Sequence, residues 1–227
     1  MTDVAIVIAA LNEADNIAAL VRDAQRFGQV IVVDDGSTNG TGGEASMAGA
    51  AVVTHLHSTH IKAAYRDGFK SALRRGFKYI VQMDAGFSHD PRDIPALLAP
   101  LMIETDMVIG SRFMADGIAY GQTPRQRFLS YCGSVLARLV TGMDIVDFTG
   151  GFKAYRAEVL GTPGLLDGLR ARAHAFQFEM TYRIHQAGFK IVEVPITYTA
   201  GRTSVKLGII FEALMMICWL AWERGNE

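Results

Sequence analysis

Cysteine is scarce: Cys132 and Cys218 are the only two in 227 residues and lie far apart. That spacing excludes a disulfide framework, a thiolate metal site and a Cys-x-x-Cys redox pair, and leaves a reducing cytoplasm as the expected setting. An excess of charge is also missing. Lysine and arginine number 22 against 23 acidic residues, a formal charge of -1, so the basic stripe that nucleic-acid binding calls for is absent and no such partner is expected. The first apolar run, Val4 to Leu11, is short, follows Asp3 instead of a basic flank and meets Asn12-Glu13 directly, unlike a secretory signal. No internal repeat, low-complexity tract or linker breaks the chain. Half of the residues are hydrophobic, ample for the core of one large α/β domain with a small C-terminal extension.

The first half of the chain alternates β-branched runs with helical spacing, the rhythm of a parallel sheet with crossover helices. Strands are predicted over Val4–Ala10, Val30–Val33, Ala51–Thr54, Tyr79–Met83 and Met107–Ile109. Between them, Ile17, Leu20, Val21, Ala24 and Phe27 mark a helix that Asn12 can cap. Further helices are expected over Gly42–Met47, over Ala63–Arg75 closed by Gly76, and over Pro95–Met102. The second half predicts helices over Arg127–Thr141, Phe176–Gln186 and Lys206–Trp222, with an alternating strand over Ile191–Tyr198.

Polar residues gather just after the strands, where open α/β sheets bind ligands. Asp34 and Asp35 follow the second strand, with Gly36 and Ser37 turning the chain. A carboxylate there can accept hydrogen bonds from a base or ribose, or can serve only as turn and helix cap. Asp84 repeats the arrangement after the fourth strand. Such an oxygen ligand can hold Mg2+ or Mn2+ against a diphosphate, and the ion would stabilise a departing nucleotide as a Lewis acid. Asp84 can equally be a cap before Pro91.

Six motifs then occur in order: Asn12-Glu13; Val32 to Thr41; Met83-Asp84-Ala85 with Ser88-His89-Asp90-Pro91; Gly110-Ser111-Arg112; Gly150 to Arg156; and Glu193-Val194-Pro195-Ile196. Over residues 4 to 206 the chain resembles a family 2 glycosyltransferase of the GT-A fold. More narrowly, it resembles the dolichol-phosphate mannose synthase and polyprenyl-phosphate glycosyltransferase branch. The resemblance implies a Rossmann-like, mostly parallel sheet flanked by helices (1–206), followed by an apolar C-terminal helix (207–227).

It also implies an inverting transfer of a sugar from GDP-mannose or a UDP-hexose to a polyprenyl phosphate. Ala10, Leu11, Asn12, Glu13, Asp35, Gly36, Lys62, Asp84 and Ala85 are then expected at the nucleotide sugar, with Asp84 as metal ligand for Mg2+ or Mn2+. Asp84, Arg112 and Arg127 would carry the catalysis, since guanidinium forks grip phosphate oxygens with two bonds. Arg127, Gln177, Glu179, Arg202 and Lys206 would meet the acceptor. A phosphate acceptor, with its second pKa near ~6, needs no strong base, whereas a hydroxyl acceptor would call on Asp147 or Glu179.

Three positions depart from the pattern. Gly86 replaces the second Asp of Asp-x-Asp, leaving Ser88, His89, water or donor oxygens to complete a metal shell. The usual glycine-rich loop reads His57 to Ala64, where His60 and Lys62 can meet phosphate or simply face solvent. Arg202 and Lys206 keep the charges of a late basic loop in shifted register. Two alternatives therefore stand beside the main reading: transfer to a hydroxyl, and a non-catalytic sugar-nucleotide binder. The apolar segment Leu207–Trp222 is shorter than the ~20 residues that span a bilayer. It is expected to pack on the core, in a homodimer, or on the cytoplasmic face of a membrane through Trp219 and Trp222.

Overall fold

The computed structural model describes residues 2–171, 175–200, 212, 215–219 and 222. Five strands form close to where the apolar runs predict them: β1 (Val4–Ala10), β2 (Gln29–Asp34), β3 (Ala51–Thr54), β4 (Tyr79–Asp84) and β5 (Met107–Ser111). Four more follow: β6 (Ile118–Tyr120), β7 (Lys153–Arg156), β8 (Ile191–Pro195) and β9 (Thr197–Thr199). The helices are α1 (Ala14–Ala24), α2 (Thr41–Met47), α3 (Ile61–Arg74), α4 (Ile94–Leu101), α5 (Pro124–Thr141), α6 (Ala157–Leu160) and α7 (Phe176–Gln186).

Among the described residues, seven strands make one sheet in the order β3-β2-β1-β4-β7-β5-β8, and β6 pairs with β9 in a separate ribbon. All pairings in the large sheet are parallel except the two made by β7. Because alternate side chains leave a strand on opposite faces, β1 and β2 feed two cores. Ala5, Val7, Ile31 and Val33 pack with Tyr65 and Phe69 of α3 and with α7. Ile6, Ile8, Val30 and Val32 pack with Ile17 and Leu20 of α1 and with α4. Burial on both faces is why these strands read as continuous apolar runs instead of alternating ones.

Several expectations are corrected. Asn12 does not cap α1; Glu13 takes that position without a side-chain bond. Asn12 itself sits in the left-handed region at φ 58°, which asparagine tolerates. Its N–H donates to Ser37 Oγ (2.9 Å) and its Oδ1 accepts from the Thr38 N–H (3.0 Å), tying the loop after β1 to the loop after β2. Helix α5 starts three residues before the expected Arg127, on a reciprocal Thr123–Gln126 cap with Pro124 in the first turn. The single strand expected over Ile191–Tyr198 is broken at Ile196, whose N–H turns to the Ser111 carbonyl (3.2 Å) while its own carbonyl accepts from Ile118 (3.0 Å).

Of the expected C-terminal helix, positions 212, 215–219 and 222 are described and helical, and the remainder lies outside the described residues. Met216 and Ile217 are buried against the α7 side of the sheet. The guanidiniums of Arg170 and Arg183 lie over the Trp219 ring, 4.7 Å and 5.7 Å from its centre. Among the described residues, no helix is long and apolar enough to cross a membrane.

Candidate active site

The register sets the acidic residues on one edge of the sheet. Ala10 pairs with Asp34 and Ala9 with Asp84, so the loops after β1, β2 and β4 emerge together. Asp34 proves to be a turn and helix cap: Oδ1 accepts from the Ser37 N–H (3.0 Å) and Oδ2 from the Gly42 N–H (3.0 Å). Asp35 is buried and organises the loop after β3. It accepts from Ser58 Oγ (2.8 Å), from the Thr59 N–H and hydroxyl (2.9 and 2.7 Å) and lies 2.8 Å from His55 Nδ1. Burial alone would raise the Asp35 pKa, but the bonds from His55, Thr59 and Ser58 outweigh it and hold the group below the usual carboxylate range. Gly36 follows at φ +81°, and a Cβ there would stand 2.7 Å from the backbone of His57 and Ser58. Only glycine lets the two loops close on each other at that point.

Asp84 ends β4 with its carboxylate partly open to solvent. Oδ1 accepts from the Tyr65 hydroxyl (2.8 Å), which also donates toward the Met83 carbonyl (3.0 Å). Burial and the Asp84 charge push the Tyr65 pKa up, so the phenol remains a donor. Gly151 lies against the other oxygen: a Cβ there would come within 3.0 Å of Asp84 Oδ2. The Asp84 N–H donates to His89 Nδ1 (3.3 Å), which puts the imidazole proton on Nε2. His89 is fully buried and stacks on Phe152 at 4.8 Å; burial lowers its pKa despite the Asp84 charge. It is therefore a neutral wall under Asp84, and Nδ1 is not available to a metal.

Arg112, at the end of β5, is almost buried. Its Nε and Nη2 reach the two oxygens of Asp147 (2.8 and 2.7 Å), its N–H adds a third bond (3.0 Å), and Nη2 also meets the Thr149 hydroxyl. The guanidinium lies 5.2 Å from the Phe113 ring centre and 5.0 Å from that of Tyr198. Asp147 is wholly buried; burial opposes its ionisation, yet the Arg112 charge prevails and its pKa is lowered. Glu193 of β8 accepts from the Val146 and Asp147 N–H groups and fixes the loop that carries Asp147. That chain of contacts makes Asp147 a support for Arg112 and removes it as a base.

Two cavities meet at Arg112. One, of about 130 Å³, is lined by Asp84, Arg112, Thr149, Gly150, Gly151 and Gln177 among others. The second, of about 480 Å³, joins Arg112 to Arg127 with Phe113, Met114, Phe128 and Tyr131. Arg112 and Arg127 thus line one cavity. Glu179 is not in either cavity: its buried carboxylate accepts from the N–H groups of Arg170 and Ala171 (2.8–2.9 Å) and from Arg183 (3.0 Å). Lys62 is also directed elsewhere, its amine donating to the Leu169 carbonyl (3.0 Å). Leu11 is exposed and Ala85 buried beside Asp84. Arg202 and Lys206 lie outside the described residues.

Sequence reasoning missed Tyr65, Thr149, Lys153 and Tyr198. Tyr65 lies inside a predicted helix and Lys153 inside the Gly150–Arg156 motif, and only the fold sets Tyr65 against Asp84 and Lys153 under Gln177. Lys153 of β7 is fully buried, donating to the Gln177 carbonyl (3.2 Å) and to Thr181 Oγ1 (3.0 Å). Burial lowers its pKa to about 7 against the pull of Asp147 and Glu193.

Among the described residues, the side chains fit a divalent ion only through Asp84. Gly86 supplies no carboxylate, and no group of three or more His, Cys, Asp or Glu among the described residues is disposed to hold a metal. An ion such as Mg2+ is commonly held by one or two carboxylates plus substrate phosphates, and one open aspartate meets that minimum.

The family model for glycosyl transferase family 2 matches residues 5–162. The undecaprenyl-phosphate mannosyltransferase of Micrococcus luteus is 35% identical over 222 residues, covering 93% of this chain and 90% of that protein. The polyprenol monophosphomannose synthase of Mycolicibacterium smegmatis is 36% identical over 209 residues, covering 88% and 78%. In fold, the chain is similar to glucosyl-3-phosphoglycerate synthase from Mycobacterium tuberculosis, solved with Mn2+, UDP-glucose and phosphoglyceric acid. The TM-score is 0.75 at 18% identity, with 97% of this chain and 80% of that chain covered. With the family model spanning most of its length, this chain belongs to the family 2 glycosyltransferases.

Proposed function

We propose that this enzyme transfers a sugar from a nucleotide-sugar donor, GDP-mannose or a UDP-hexose, to a polyprenyl phosphate, with inversion at the anomeric carbon. The observation that carries the reading is the cavity lined by Arg112 and Arg127 together with Phe113, Phe128 and Tyr131, which adjoins the Asp84 cavity through Arg112. A phosphate on an apolar tail matches that chemistry. Both relatives are named for transfer involving a polyprenyl phosphate.

In the proposed step an acceptor phosphate oxygen attacks the anomeric carbon. The bond from that carbon to the diphosphate breaks, and its electron pair leaves with the nucleoside diphosphate. The acceptor is already ionised near neutral pH, so no proton need be removed. This agrees with the disposition of Asp147 and Glu179, the two candidate bases, both of which are spent on structural bonds. Arg112 and Arg127 orient the attacking phosphate and lower its repulsion from the donor. Tyr65 fixes the Asp84 carboxylate at the donor side. A divalent ion bound there with the donor would neutralise charge on the leaving diphosphate.

A lipid acceptor calls for work at a membrane surface, in this reading the cytoplasmic face. Helix α5 supports this, since it buries only Ser134, Ala137 and Thr141. Phe128, Tyr131 and Leu139 are 65%, 50% and 74% exposed.

The test is incubation with radiolabelled GDP-mannose or UDP-glucose and a short polyprenyl phosphate, followed by extraction of lipid-linked label. Transfer to simple alcohols but not to the lipid would favour a hydroxyl acceptor. Donor binding without any transfer would favour a non-catalytic binder.

A further inference from the structure

Gln177, the second residue of α7, is 4% exposed, and its side-chain oxygen has no hydrogen-bond donor among the described residues. It lines the 130 Å³ cavity with Asp84 and Arg112. Its position is not loose. The backbone carbonyl of Gln177 accepts from Lys153 Nζ (3.2 Å) and from the Thr181 hydroxyl (2.8 Å), so a strand lysine and a helix threonine clamp the residue from below.

A buried amide oxygen without a donor is rare in a folded protein and marks a group awaiting a partner. What it needs is a donor. A phosphate dianion offers only acceptor oxygens and cannot satisfy it, whereas a sugar hydroxyl can. The cavity is also smaller than the ~300 Å³ at which pockets for drug-sized ligands begin, which suits a single small group rather than a nucleotide. It adjoins Asp84 on the donor side and Arg112 on the phosphate side, where the anomeric carbon must lie between leaving and attacking groups.

Resting on the transferase reading, we propose that Gln177 is a specificity-determining residue whose side-chain oxygen accepts a hydrogen bond from a ring hydroxyl of the donor sugar. This moves Gln177 from the acceptor side, where the family resemblance sets it, to the sugar. It also gives the enzyme a means of rejecting donors that lack that hydroxyl or carry it on the other face of the ring, because the oxygen would then stay buried and unpaired.

The experiment is calorimetric titration of the whole protein with GDP, UDP, GDP-mannose, UDP-glucose and the deoxy forms of whichever sugar nucleotide binds. Wild type is expected to lose roughly 10- to 100-fold in affinity toward the analogue missing the hydroxyl that Gln177 reads. The near-isosteric Gln177→Met variant is expected to bind the parent sugar nucleotide and that analogue alike, with affinity for the nucleoside diphosphate unchanged. A wild type indifferent to every deoxy analogue overturns the proposal without recourse to the variant. So does a Gln177→Met protein that keeps full discrimination, or whose only change is a higher KM for polyprenyl phosphate. Should nucleoside diphosphates bind while no sugar nucleotide does, the transferase reading itself falls, an outcome separate from the failure of Gln177 alone.

Discussion

Asp147 shows how a buried charge can serve a site without entering it. Its two oxygens take three bonds from Arg112, and Glu193 fixes its backbone. Removing one member of such a pair strands the other in a poor solvent for charge. Asp147→Ala should therefore cost about 3–5 kcal/mol of stability, read from urea unfolding, and should abolish transfer because Arg112 loses its aim. A loss below ~1 kcal/mol would mean the pair is solvated in practice. Gly86 gives a second test at the same scale. A Cβ there would meet only Glu13 Oε1, at 3.6 Å, so Gly86→Asp fits sterically. Wild type should bind Mn2+ detectably only together with a nucleoside diphosphate, and Gly86→Asp should bind Mn2+ alone. If EDTA leaves donor binding and turnover untouched, the ion has no part.

At the scale of elements, the first five strands were legible because two-sided burial writes them as apolar runs. β7 was not. Lys153-Ala154-Tyr155-Arg156 has charges at both ends, and nothing local reveals that the lysine amine is satisfied by α7 or that the Tyr155 hydroxyl reaches Gln82 (2.9 Å). The site divides the same way. Asp84 and Arg112 stand in short motifs next to strand ends and Arg127 followed from the family resemblance, whereas Tyr65 acts from the middle of a helix that reads as core. Glu179 illustrates the converse, a charged residue inside a motif whose carboxylate turns out to bind backbone. Helix α5 carries an element-scale prediction. Replacing Leu136 and Leu139, both exposed and outside the cavity wall, together by lysine should lower co-flotation with vesicles of neutral lipid several-fold, while turnover of a short water-soluble polyprenyl phosphate changes little. Unchanged flotation accompanied by a shift from dimer to monomer would assign the face to a second copy of the chain.

For the whole molecule, Lys153 links stability to pH. Its folded pKa, about 7, lies below the ordinary lysine value near ~10.4. Between those limits the unfolded chain holds a proton that the native chain has released, so stability rises with pH. The destabilisation is complete below pH ~7 and fades as pH climbs. The slope contributed can approach ~1.4 kcal/mol per pH unit. Unfolding midpoints between pH 7 and 9.5 should climb for wild type and stay flatter for Lys153→Met; equal slopes would show that the lysine is charged in the native state.

The antiparallel strand in the middle of the sheet has a consequence for the order in which the chain can assemble. As the polypeptide leaves the ribosome, β1 to β4 can close side by side, but β5 has neither neighbour available: β7 is some forty residues ahead and β8 further still. A nascent chain would thus carry an unfinished hydrogen-bonding edge on β4 and a loose apolar segment, Met107–Ser111, until Lys153–Arg156 slots between them. A chain cut after residue 150 should bind a hydrophobic dye and aggregate, and supplying the missing segment in the same chain should suppress both.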